Sequence, residues 1–126
     1  MLIEISVGEL LDKITILELK KVKIQDPKKL GNIGKEWGYL LTKIPQDIKD
    51  DKEFAGFVSR LYSVNSELWD IEDGKRECER NKDFGEHFIN LARQVYIKND
   101  LRASIKKEIN IHFKSGFVEE KSYSNY

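Results

Sequence analysis

The sequence contains a single cysteine, Cys78, and no run of apolar residues long enough to cross a membrane. One cysteine can form neither an intrachain disulfide nor a paired-cysteine metal site, so the fold has to depend on packing. A membrane-spanning helix would need about 20 apolar residues in succession, and residues 1–10 lack the basic and apolar regions of a signal peptide. We therefore expect a cytoplasmic protein with no membrane partner.

The chain also lacks a net charge, because Lys and Arg together number 22 and so do Asp and Glu. Without an overall field to attract a polyanion, nucleic acid is not expected as a partner. The two histidines, His87 and His112, have no HExxH motif and no companion cysteine. We therefore expect no metal site and no bound cofactor.

What the chain does contain is apolar residues at helical spacing. The patterns predict four helices, over about residues 7–25, 27–44, 51–81 and 84–114. A short extended N-terminus precedes them and a tail over residues 115–126 follows. With 126 residues the chain is long enough for one modest core. We expect an all-α fold, a single domain over residues 1–126 in which two helix hairpins form a bundle.

Several residues mark where these helices begin and end. Ser6 with Glu9, and Asp83 with Glu86, have the spacing of a capping box. The other expected caps are Asp26 before Pro27, Asp50 or Asp51 at the third helix, and Gly116 after the fourth. Three glycines lie inside the second predicted helix, at Gly31, Gly34 and Gly38. Each costs about 1 kcal/mol relative to alanine, which indicates close packing against a neighbouring helix.

The third predicted helix carries a stripe that changes character along its length. Steps of four and three from Phe54 give apolar residues as far as Leu61, and the same line then passes through Asn65 and Glu72. On a packed helix such a line faces the core. Polar groups buried there need partners, because leaving one unpaired costs about 1–3 kcal/mol and more for a charge. The stripe therefore predicts a polar cluster within the helix packing.

The turn near residues 81–83 makes the third and fourth predicted helices antiparallel neighbours. Matching positions across this turn places Glu72 level with Arg93 and Asn65 near Asn99, and Arg102 follows the apolar line of its own helix. We therefore expect one cleft between these two helices. Its predicted lining is Asn65, Trp69, Glu72, Asp73, Arg76, Arg93, Tyr96, Asn99 and Arg102.

Three guanidinium groups beside an aromatic ring and two amides are suited to binding a phosphate or a carboxylate. We therefore predict a binding or accessory protein that recognises a small anionic ligand, such as a nucleotide, a nucleotide-sugar or a phosphosugar. A polar seam can instead serve only to set helix register. That alternative is an oligomeric scaffold or adaptor without a ligand, a homo-oligomer whose tail docks on a partner chain.

A third interpretation is a metal-dependent all-α nucleotide hydrolase that uses Glu72, Asp73, Glu77 and Glu79. The facing helix offers mainly Arg, Lys and Asn, which disfavours a cation. The residues leave open whether any of them is catalytic. Cys78 lies between Arg76 and Arg80, which could lower its thiol pKa, but no histidine is placed as a base, and a small packed residue is the simpler interpretation.

Long segments of the chain resemble a known family. They are ISVGELLDKITILELK (5–20), NSELWDIEDGKRECE (65–79), DFGEHFINLARQVYIKNDLRASIKKEIN (83–110) and VEEKSY (118–123). The family consists of functionally uncharacterised short helical proteins of bacteria and some phages, often encoded near surface-polysaccharide genes. Within residues 30–62, GNIGKEWG stands where relatives carry an Ala/Arg/Glu-rich helix. The family pattern falls on Glu9, Asp12, Lys13, Glu18, Asn65, Trp69, Glu72, Asp73, Arg76, Arg93, Tyr96, Asn99, Asp100, Arg102, Lys106, Asn110 and Glu119 to Tyr123. The resemblance implies no particular activity.

Overall fold

The computed structural model of the protein describes residues 1–124, which contain five helices and no strand. The helices are α1 (Val7–Lys23), α2 (Pro27–Leu41), α3 (Gln46–Lys49), α4 (Phe54–Arg80) and α5 (Glu86–His112). The predicted all-α class is confirmed. Residues 1–6 and 115–124 have no regular structure, and residues 125–126 of the predicted tail lie outside the described part of the chain. None of the helices in residues 1–124 has the length and apolar character needed to cross a membrane.

Helix α1 is the central element of the bundle. It packs against α2, α4 and α5, while α4 and α5 pack along each other as a long pair. The hydrophobic core lies among the three long helices, and Leu11, Leu61 and Ile109 are almost completely buried in it. The short helix α3 occupies what the sequence predicts to be a plain connection, and its Ile48 is part of the same core. The bundle therefore consists of two helix hairpins, as predicted.

The glycines of α2 face open space. A Cβ atom built on any of the three would have no neighbouring atom within 4 Å. The prediction that they allow close packing against another helix is therefore wrong. Trp37 holds α2 against α1 instead, because its Nε1 donates to Glu18 Oε1 at 3.4 Å and the Lys21 ammonium lies 3.5 Å from its ring centroid.

The predicted caps of the first two helices are only partly present in the structure. Ser6 Oγ accepts a hydrogen bond from the Glu9 backbone N–H at 3.1 Å, as a capping box requires. The carboxylate of Glu9 does not close the box, because it is directed to Lys106 on α5. Asp26 caps α2 as predicted and accepts from the Lys28 N–H at 3.0 Å.

The predicted caps of the two longest helices are wrong. Helix α4 begins after Glu53, with no side-chain cap. Asp51 Oδ1 accepts a hydrogen bond from the Glu53 N–H at 2.8 Å, before the helix begins. Helix α5 begins after Gly85, again with no side-chain cap, and Asp83 accepts the Gly85 N–H at 3.2 Å. Both aspartates therefore form local turns before the helix and do not cap it.

Both of these helices end with a lysine in the left-handed conformation, Lys82 with φ 54° and Lys114 with φ 52°. The hydrogen bonds of a Schellman motif accompany each: Asp83 N donates to Cys78 O at 2.9 Å, and Ser115 N donates to Asn110 O at 2.8 Å. The prediction that Gly116 supplies the left-handed residue after the last helix is therefore wrong.

Replacing Lys82 with glycine is expected to stabilise the protein by about 1 kcal/mol relative to Lys82→Ala, because glycine has no Cβ to oppose the left-handed conformation. The alanine variant is the matched control, since both changes remove the exposed ion pair with Glu79. Urea unfolding of the two variants measures the difference. Equal midpoints would show that residue 82 is not held at positive φ in solution.

Candidate functional site

The buried face of α4 does not follow the predicted stripe. Asn65 is buried, but the face then continues through Leu68, Ile71 and Cys78, and Glu72 is exposed. Seven residues of an α-helix fall only about 20° short of two full turns, so Glu72 stays on nearly the same side of α4 as Asn65. The Glu72 side chain is nevertheless 48% exposed, because it lines a cleft between the helices instead of a packed contact, and its predicted burial is wrong.

Six of the nine predicted site residues line one cleft of about 320 Å³ between α1, α4 and α5. We call it the Trp69 cleft. Its lining is Ile16, Leu19, Asn65, Leu68, Trp69, Glu72, Asp73, Arg76 and Arg102. Two residues of α1 belong to it, although the sequence predicts a cleft between only the two longest helices.

The remaining predicted residues lie elsewhere. Tyr96 and Asn99 line a second cleft of about 360 Å³ between α5 and the tail, which we call the tail cleft, and Arg102 lines this cleft too. Arg93 is exposed and lines neither cleft, while the Glu72 carboxylate that it was predicted to face pairs with Lys75 at 3.5 Å. The structure therefore divides the predicted site into two adjoining parts that share Arg102.

The partners of Asn65 come from α1. Its Nδ2 donates to Asp12 Oδ1 at 2.9 Å and to Thr15 Oγ1 at 3.1 Å, and Thr15 Oγ1 donates to the Asp12 backbone oxygen at 2.8 Å. All three residues are at most 4% exposed. The cost of burying these polar groups is offset because they bond to one another. Asn99, the predicted neighbour of Asn65, takes no part in this network.

Arg102 reaches this network from α5 through two long contacts. Its Nη1 lies 3.4 Å from Asn65 Oδ1 and its Nε lies 4.0 Å from Asp12 Oδ2. The side chain is 32% exposed. A guanidinium carries five N–H donors in a planar fork, and these two weak contacts leave it able to donate to a ligand in either cleft.

Lys106, one turn further along α5, is 6% exposed and lies among three carboxylates. Its Nζ is 2.7 Å from Glu9 Oε2, 2.9 Å from Glu119 Oε2 and 4.0 Å from Asp12 Oδ2. Burial lowers the pKa of the ammonium, but the hydrogen bonds to Glu9 and Glu119 together with the negative charges of Glu9 and Asp12 outweigh it, and the net pKa is raised. The same hydrogen bond from Lys106 is the main cause that lowers the pKa of Glu9.

The first turn of α1 is bonded to the far end of α5. The Gly8 N–H donates to Asn110 Oδ1 at 2.7 Å, and the Val7 N–H donates to Ser115 Oγ at 3.2 Å. A Cβ on Gly8 would lie 2.7 Å from the Lys106 backbone oxygen. Asn110 is 1% exposed, and its Nδ2 is buried without a partner among the described residues. This contact sets how closely α1 approaches α5.

The prediction from the two facing helices missed the contribution of α1. Gly8, Asp12, Thr15 and Leu19 lie at steps of four, three and four, which is the spacing of a buried line, and all four are buried. Two polar residues on such a line are the signal that could have placed α1 at the site.

The structure bears on the predicted chemistry of the Cys78 thiol and on that of a metal site. Burial, with smaller contributions from Asp83 and Glu77, raises the pKa of the Cys78 thiol, so the suggestion that nearby arginines lower it is wrong. Within residues 1–124, no three His, Cys, Asp or Glu side chains form a group that could hold a metal ion. Glu72 and Asp73 share their cleft with the guanidinium groups of Arg76 and Arg102.

Comparison with curated proteins gives no match, and comparison with solved structures gives none either. A family model described as a family of unknown function matches residues 1–126. This range includes α1 with its buried polar residues, the α4–α5 pair and the tail. The chain therefore belongs to the family of unknown function DUF6165.

Proposed function

We propose that the protein binds a small ligand that combines a hydroxylated ring with a phosphate or carboxylate, and that the ligand lies in the Trp69 cleft. The observation that carries the proposal is the composition of this cleft. Trp69 offers an aromatic face to a ring, Glu72 and Asp73 offer acceptors to hydroxyl groups, and Arg76 and Arg102 offer donors to an anion.

The size of the cleft narrows the class of ligand. Ligand sites in proteins measure about 300–1,000 Å³, and the Trp69 cleft, at about 320 Å³, is at the lower end of that range. A monosaccharide phosphate therefore fits this cleft better than a whole nucleotide-sugar. The link to surface-polysaccharide genes that the family resemblance implies is a further reason to test sugar phosphates first.

The charges around the cleft favour Arg102 as the anion contact. Arg76 and Arg102 are balanced in number by Glu72 and Asp73. Among the described residues, the Asp12 carboxylate is the only one within 4.0 Å of the Arg102 guanidinium. The other oxygen of that carboxylate accepts a hydrogen bond from Asn65. A phosphate could therefore bond two donors of the guanidinium fork without displacing a close partner.

Isothermal titration with glucose 1-phosphate, mannose 1-phosphate, the free sugars and inorganic phosphate tests the proposal. The wild-type protein is expected to bind at least one sugar phosphate, and Arg102→Met is expected to weaken that binding at least tenfold, because a charge-assisted hydrogen bond contributes about 1.5–3 kcal/mol. Trp69→Leu is expected to weaken binding of the sugar phosphate but not of inorganic phosphate.

Arg60→Met is the matched control. Arg60 also lies on the α4–α5 pair and forms an ion pair with Glu108, but it lines neither cleft. Its loss is expected to leave affinity unchanged. A folded wild-type protein that binds none of these compounds and whose Tm none of them raises would contradict the proposed function.

A further inference from the structure

Arg102 lines both clefts, so a ligand whose anion is held there has space on two sides. We propose that the tail cleft is a second subsite of the same site and that it takes a planar aromatic ring joined to the first ring through the anion at Arg102. This inference rests on the proposed function. The ligand class it defines is a nucleoside diphosphate sugar, which has a charged linker between two rings.

The wall of this subsite is the tail, which is fastened to α5. Glu119 pairs with Lys106 at 2.9 Å, and Lys121 pairs with Asp100 at 2.8 Å. These anchors on α5 are six residues apart, so the tail runs along the helix and encloses the cleft instead of leaving the surface. The tail pairing at Lys121 is partly exposed and therefore weak, which lets the tail adjust to a ligand.

The two sides of the tail cleft each carry a tyrosine, Tyr96 on α5 and Tyr123 on the tail. Tyr123 is 81% exposed, and the Lys121 ammonium lies 5.4 Å from its ring centroid. An aromatic ring at the edge of a cleft can stack against any nucleobase, because every base has a π-face. Asn99, which lines the same cleft, can both donate to and accept from the edge of a base.

Arg102 is the cation of the tail cleft that is available to a diphosphate linker. Of the other two cationic lining residues, Lys106 is paired with Glu9 and Glu119 and Lys121 is paired with Asp100, whereas Arg102 makes only a 4.0 Å contact with Asp12 among the described carboxylates. The two clefts measure about 320 and 360 Å³. They are similar in size and lie on either side of one guanidinium, which matches a ligand with one ring on each side of its phosphates.

Isothermal titration of the full chain with glucose 1-phosphate and with UDP-, ADP- and GDP-glucose tests the second subsite. At least one nucleotide-sugar is expected to bind tenfold or more tightly than glucose 1-phosphate. Tyr123→Ala is expected to weaken that nucleotide-sugar about tenfold, because the stacked base loses its platform, and to leave glucose 1-phosphate within twofold. Tyr123→Phe is expected to restore the affinity.

Tyr39→Ala is the control, since Tyr39 is an exposed tyrosine of α2 that lines neither cleft. If glucose 1-phosphate binds but no nucleotide-sugar binds more tightly, the second subsite is overturned and the proposed function stands. The same holds if Tyr123→Ala weakens both ligands equally. If the wild-type protein binds neither kind of compound, both proposals are overturned.

Discussion

Replacing Gly8 with alanine is expected to lower the free energy of unfolding by about 3 kcal/mol. The added Cβ would lie 2.7 Å from the Lys106 backbone oxygen and 2.9 Å from Asn110 Oδ1. Backbone cannot give way as a flexible side chain can, so α1 has to move away from α5. That movement also stretches the buried hydrogen bond from Gly8 to Asn110.

Gly31→Ala is the matched control for this substitution. Both glycines are helical, but a Cβ on Gly31 meets no atom within 4 Å. Alanine at residue 31 is expected to raise the free energy of unfolding by about 0.5–1 kcal/mol through helix propensity alone. Urea unfolding followed by circular dichroism measures both variants. A Gly8→Ala protein as stable as the wild type would show that α1 and α5 are not in such close contact.

Replacing Lys106 with methionine is also expected to cost about 3 kcal/mol of stability, because removing one member of a buried ion pair leaves the other uncompensated. Asp12 is 4% exposed and would keep only the distant Arg102 as a cationic partner. Methionine retains much of the apolar stem, so the loss reports mainly on the charge. Chemical denaturation near neutral pH measures it.

Lys107→Met is the control, because Lys107 is the next residue of α5 and also pairs with a glutamate of the tail at 2.9 Å, but both members of that pair are exposed. Its loss is expected to change stability by no more than about 0.5 kcal/mol. Two lysine variants with equal stability would contradict the buried placement of Lys106.

The pH dependence of the Lys106→Met variant gives a second readout. The lowered pKa of Glu9 contributes stability above its unfolded pKa, and that contribution is lost as the pH falls through the folded pKa. The raised pKa of Lys106 contributes stability below its unfolded pKa, and that contribution is lost as the pH rises through the folded pKa. The difference in free energy of unfolding between the wild type and Lys106→Met is therefore expected to be largest between about pH 5 and pH 10 and to become smaller in acid.

The helices could be predicted from the sequence because their signals are local. Apolar spacing and the caps at Ser6 and Asp26 depend on residues a few positions apart. The left-handed lysines could not be predicted, because the bonds that hold Lys82 and Lys114 at positive φ override their intrinsic preference. Local signals therefore identify helices better than they identify the conformations that end them.

The site was harder to predict because it depends on which helices meet. The turn at residues 81–83 pairs α4 with α5, but no local signal places α1 beside both. The amide of Asn65 could be recognised as polar and core-facing, while its partner Asp12 lies 53 residues away in sequence. The prediction for Arg93 depends only on matching residue levels along the two helices, and such matching ignores the rotation of each helix about its axis.

The hydrogen bonds that finish the first turn of α1 come from residues synthesised more than a hundred positions later. Gly8 and Asn110 are separated by 102 residues, and Val7 and Ser115 by 108. During translation the first turn of α1 therefore emerges from the ribosome before the residues that bond its backbone N–H groups, and it can dock on α5 only after Asn110 and Ser115 have been released. Contacts between residues so far apart in sequence slow folding, so the nascent chain is expected to pass through a partly folded state to which chaperones can bind.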